Sequence, residues 1–167
     1  MNSTTSASPN ENLDFLRSLE GKFKGKVTFQ DTELSAYSKE DLNESIMENS
    51  LIYDSHFLKE EFHGKERNGQ KALLGTGFIG FNDKAAEFEG FWIDNRSQKM
   101  NFDNGHKEGN ALIMEWESEE PNMGKLKHSR STTVVDNNHH TIDFFQENTK
   151  AGRVKTLSME FERQLSH

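Results

Sequence analysis

Cysteine is absent from the 167-residue chain, which excludes disulfides, thiol catalysis and cysteine-based zinc sites. Long apolar runs are also missing. The longest are a few residues, too short for any segment to span a bilayer as a helix. Met1 to Asn10 carries neither a basic flank nor an apolar stretch, so it does not look like a signal peptide, and a cytoplasmic location is the default expectation. Positive charge is in deficit. The 20 Lys and Arg face 28 Asp and Glu, a net charge of −8, and a phosphate backbone would repel such a chain unless its cations were strongly segregated. Neither nucleic acid nor a membrane is an expected partner, and the oligomeric state stays open.

What is present suffices for one domain. Leu, Ile, Val and Phe make up about 22% of the residues, just above the level typical of disordered chains, so a lean core is expected. A domain of this length buries roughly 70% of its unfolded surface. Residues 1–7 are small and polar and should form a mobile tail ahead of a single domain over 8–167. Ser8-Pro9-Asn10-Glu11 is a helix start, with Ser8 as cap, Pro9 in the first turn and Glu11 reaching back. Leu13, Leu16 and Leu19 line one face of the helix, Phe15 lies beside them, and Gly21 can end it.

From Gly21 the period becomes two. Ten segments near 21–30, 43–53, 56–64, 70–81, 86–95, 98–105, 110–118, 126–136, 139–148 and 153–163 alternate apolar or β-branched residues with polar ones, separated by turn clusters. Most connections are too short for a crossover helix, so neighbours must be antiparallel. The expected fold is all-β: a ten-stranded antiparallel up-and-down barrel, closed to remove its edges, with one short N-terminal helix. Only 31–42 is a longer loop, with a helical turn near Ser38 to Leu42.

Several chemistries find no motif. No HExxH or complete calcium loop occurs; Asp103-Asn104-Gly105 stands alone. Gly-x-Ser-x-Gly is absent too. Gly75-Thr76-Gly77-Phe78-Ile79-Gly80 only imitates a phosphate loop, because it lies in a strand pattern where glycine permits curvature or close packing. Among seven histidines, His56, His63, His106 and His167 lie at turns or ends, and the adjacent His139 and His140 must point to opposite faces. No metal site, no cofactor and no catalytic residue is assigned.

A barrel this wide can enclose a small ligand. Glu87 and Glu89 mark an outer face, which sends Phe88, Trp92 and Asp94 inward; Met100 and Phe102 share a face of their strand, as do Leu112, Met114 and Trp116 of theirs. This lining either fills a core or receives an apolar body. In 126–136, Leu126, His128, Arg130, Thr132 and Val134 share one face, which the apolar ends favour as the inner one although Val135 argues otherwise. A buried guanidinium needs a partner. Asp94 or Glu115 neutralises Arg130, or an anionic ligand does. The binding residues expected are therefore Phe88, Trp92, Asp94, Met100, Met114, Trp116, His128 and Arg130, around a small apolar or anionic molecule. The alternatives are an enzyme using Asp94 and His128 as an acid–base pair, or a haem barrel with His128 or His140 on iron.

The order of motifs resembles a bacterial family, domain of unknown function 1579. Gly75-Thr76-Gly77-Phe78-Ile79-Gly80-Phe81-Asn82 is similar to its Gly-x-Gly-x-x-Gly-Tyr-Asp, and Trp92-Ile93-Asp94 to its Trp-x-Asp. Gly124, Lys127 and Arg130, then His140 to Phe144, and finally Met159-Glu160-Phe161-Glu162-Arg163 continue the likeness over roughly residues 12 to 165. Asp54-Ser55-His56-Phe57-Leu58 departs from what looks like a Gly-Gly-Arg-Phe-Leu element. The resemblance implies a lipocalin-like barrel of the calycin group and no particular activity.

Overall fold

The computed structural model describes residues 9–148, 150 and 152–165, so the polar tail, the Ser8 cap and His167 lie outside the described residues. The elements follow as α1 (Pro9–Ser18), β1 (Gly21–Gln30), α2 (Lys39–Leu42), β2 (Ile46–Ile52), β3 (Phe57–His63), β4 (Leu74–Asn82), β5 (Glu87–Asp94), β6 (Asn101–Glu108), β7 (Ala111–Glu120), β8 (Gly124–Asp136), β9 (His139–Asn148) and β10 (Gly152–Arg163). The ten strands close into a barrel in which every strand lies beside its sequence neighbour and β1 meets β10. All ladders are antiparallel, as the short turns require.

Alternation places one face of each strand inside, and the side chains there sort into layers. At one end, Phe15 and Leu16 of α1 and Leu19 just after it plug the barrel against Leu58, Ile79, Phe88, Leu112 and Met114. The helix face that does this starts with Asn12, which is buried at 3% exposure, while Leu13 is only half-buried. Arg163 on β10 ties the plug down by donating to the carbonyls of Glu20 and Ser18. Toward the other end a second cluster gathers Phe23, Met47, Phe62, Ile142, Leu157, Met159 and Phe161. Segment 31–42 folds over that end: Ser38 caps α2 by accepting from the Asp41 amide, and Leu42 and Tyr37 join the second cluster.

Between the two clusters runs a polar layer. On β3 the inward order is Leu58, Glu60, Phe62, and Glu60 is 2% exposed. Arg130 on β8 reaches it with a forked contact, Nη2 lying 2.9 and 2.7 Å from the two carboxylate oxygens. The partner of Arg130 is therefore Glu60, and neither Asp94 nor Glu115. Glu115 faces solvent, and Asp94 is held elsewhere. His140 lies inside as well. It is 3% exposed, stacked on Phe161 with the edge of Phe23 against it, because it shares the inward period of Ile142 and Phe144.

Candidate functional site

Trp92 and Asp94 sit at the end covered by segment 31–42. The indole lies flat over β4: a Cβ at Gly75 would fall 2.1 Å from Trp92 Cζ2, and one at Gly77 would fall 2.8 Å from Cε3. Those two glycines supply the space that the ring fills. Trp92 Nε1–H donates to Asp94 Oδ2 at 3.0 Å, the Tyr37 hydroxyl donates to the same oxygen at 2.5 Å, and the Arg96 amide donates to Oδ1 at 2.9 Å. Burial and the Asp94 carboxylate hold the Tyr37 phenol protonated, well above its ordinary range. Asp94 thus latches the loop to the wall.

The acid–base pair of Asp94 and His128 is not assembled. Asp94 is on β5 and His128 on β8, with β6 and β7 between them, and Ser118 engages the imidazole instead, Oγ to Nε2 at 2.6 Å. Met100 lies outside as well. It precedes β6 and is 53% exposed, and Phe102 is 66% exposed. On β6 the inner positions belong to Asn101, Asp103 and Gly105, because Phe102 packs outward against Phe91, which itself stacks on Phe78. Phe88 and Met114 are inside but serve the core beside α1.

Trp116 and His128 define a different place, one that Arg130, turned to Glu60, does not line. The β6–β7 ladder runs from Glu108↔Ala111 to Asn104↔Glu115 and stops there, although β6 reaches back to Asn101 and β7 continues to Glu120. The two strands part, leaving a cleft in the barrel wall on the side of the rim that segment 31–42 does not reach. A depression of about 1040 Å³ occupies it, lined by inner residues such as Asp103, Trp116, His128 and Gln146 and by outer ones such as Phe102 and Lys127. Trp116 and His128 stack inside it with ring centroids 5.3 Å apart and planes 9° apart. Burial lowers the His128 pKa, which favours the neutral imidazole.

Asp103 is the residue that motif reading passes over. It alternates with outward Phe102 and so faces in, where its Oδ1 is buried and without a hydrogen-bond partner. Burial raises its pKa to about 6, against the pull of Arg130. The sign of the consequence is fixed: a carboxyl near 3.9 in the unfolded chain binds its proton more tightly when folded, so stability falls as pH rises from about 4 through 6. Asp103→Asn should therefore raise stability by about 1–3 kcal/mol at pH 7 and leave it unaltered at pH 4. Urea unfolding at the two pH values checks this, and an equal effect at both would contradict it.

Both histidines named for haem are held by neighbours. His140 is enclosed by Phe23 and Phe161, and His128 has Ser118 at Nε2 and Trp116 on its face. Among the described residues, no group of three or more metal-binding side chains is placed to hold an ion, and no helix is long and apolar enough to cross a membrane.

Comparison with known proteins agrees with the geometry at the level of fold. No curated protein matches the chain. The crystal structure of Rv2717c from M. tuberculosis is similar at 12% identity with a TM-score of 0.58, over 95% of this chain and 99% of that one. A redesigned beta barrel, b11L5F_LGL, aligns at 13% identity with a TM-score of 0.44, over 90% of this chain and 95% of its own. A family described as Protein of unknown function (DUF1579) matches residues 8–163. With nearly the whole barrel inside that match, the chain belongs to the DUF1579 family.

Proposed function

We propose that the protein binds a small, partly apolar molecule in the cleft between β6 and β7. The observation that carries this reading is the interrupted ladder. Backbone pairing ends at Asn104↔Glu115 while both strands go on, and the gap opens onto a stacked Trp116–His128 pair. α1 plugs one end of the barrel and segment 31–42 latches over part of the other, so the route inward lies at the uncovered part of that rim and the cleft beside it. A space of about 1040 Å³ is of the size that holds small organic ligands.

Trp116 is the aromatic platform in this reading, and Gln146 supplies a hydrogen bond beside it. Arg130 is not the anchor for an anionic end in this reading, since Glu60 offsets its charge within the polar layer and it does not line the cleft. Titration with the neutral dye Nile red tests the proposal. Saturable enhancement of dye emission with quenching of tryptophan is expected, and Trp116→Ala should weaken binding by about tenfold. Binding that is absent, or indifferent to Trp116→Ala, would remove the cleft as the site.

A further inference from the structure

The cleft also has a charge preference, opposite to the one that a buried arginine suggests. Seven carboxylates line it, Glu87, Glu89, Glu115 and Glu117 among them, against two permanent cations, Lys127 and Arg153. Arg153 lies over the Phe145 ring at 3.8 Å, and Lys127 stands in register between Glu117 and Glu147. Deeper in, Glu60 and Arg130 cancel, which leaves Asp103 as the uncompensated group, with Oδ1 buried and unpartnered. That oxygen lies against the β5 backbone, 2.6 Å from where a Cβ on Gly90 would be, so a shift toward β5 offers it no donor.

Resting on the binding reading above, we infer that the ligand is an organic cation: an amine on an apolar or aromatic body, its N–H donors meeting Asp103 and its ring lying on Trp116. A cleft lined by one sign of charge concentrates ions of the other. A charge-assisted hydrogen bond from an ammonium to the Asp103 carboxylate, which lines the cleft, would offset its charge, and the face of Trp116 favours a nearby cation as well. An anion would instead enter a field of seven carboxylates against two permanent cations.

Calorimetric titration with three matched probes tests this: 2-(1-naphthyl)ethylamine, 1-naphthaleneacetate and 2-(1-naphthyl)ethanol. The amine should bind at least about tenfold more tightly than the acid, and raising the salt concentration from 0.05 to 0.5 M should narrow that ratio. Asp103→Asn should bring the ratio close to one. The exposed pair Glu115→Gln/Glu117→Gln should reduce it without touching the interior. An acid that binds as tightly as the amine, or an amine preference that survives Asp103→Asn, overturns the charge assignment while the cleft still binds. If none of the three probes binds, the binding reading itself fails and this inference falls with it.

Discussion

Glu60→Gln should cost about 3–5 kcal/mol of stability, the penalty for stranding one member of a buried ion pair. Glu60 and Arg130 side chains are only 3% and 12% exposed, and they lie between two apolar clusters, so water cannot replace the lost carboxylate. Burial alone would lower the Arg130 pKa, yet the Glu60 carboxylate more than offsets this and raises it, keeping the guanidinium charged. In the variant that charge remains, with Asp103 as the residual counter-charge. A double replacement, Glu60→Met with Arg130→Met, removes both charges and fills similar volume, and it should recover most of the loss. Urea denaturation of the three proteins checks the argument. A single-variant cost below about 1 kcal/mol would mean that the layer is hydrated and the pair ordinary.

Acidification from pH 7 to pH 4 should cost the native state about 3 kcal/mol through His140 alone. Its imidazole is packed between Phe23 and Phe161, and burial holds its pKa near 3. An unfolded histidine titrates near 6.5. Below that pH the unfolded chain takes up a proton that the folded one refuses, so stability is complete above 6.5 and is lost progressively toward 3. Asp103 works in the opposite direction between about 6 and 4. His140→Phe keeps an aromatic ring in the stack and removes the titration, so it should abolish the His140 share of the acid loss. Comparing urea midpoints at pH 7 and pH 4 decides the matter, and an unchanged difference between variant and parent would refute it.

Strand alternation made most of the barrel legible. β1 and β9 span the segments expected from their period, Gly21–Gln30 and His139–Asn148, because their turns are marked by Asn, Asp and Gly. β6 was harder, beginning at Asn101 rather than 98. Met100 and Phe102 are the most apolar residues there, and a rule that sends apolar residues inward selects the wrong face. Phe91 and Phe78 give Phe102 an apolar neighbour outside, which depends on cross-strand register and not on local pattern. Glu60 was readable in principle, since Leu58, Glu60 and Phe62 share one face and an acid between two core residues asks for a cation. Which cation it meets is a long-range fact: 70 positions separate it from Arg130. Tyr37 had no local signal, because its role depends on how segment 31–42 crosses the rim.

Closure of the ring also sets the order in which this chain can become stable. β1 finds one neighbour, β2, early, but its other neighbour is the final strand, and Phe23 pairs with Arg163 across the length of the chain. Until β10 arrives, β1 and β9 are open edges whose backbone groups invite pairing with other chains. The last step is therefore a long loop closure with a large entropy cost, and such non-local pairing folds slowly. The hazard lies in the time before completion, when an emerging polypeptide carries nine strands and no seam.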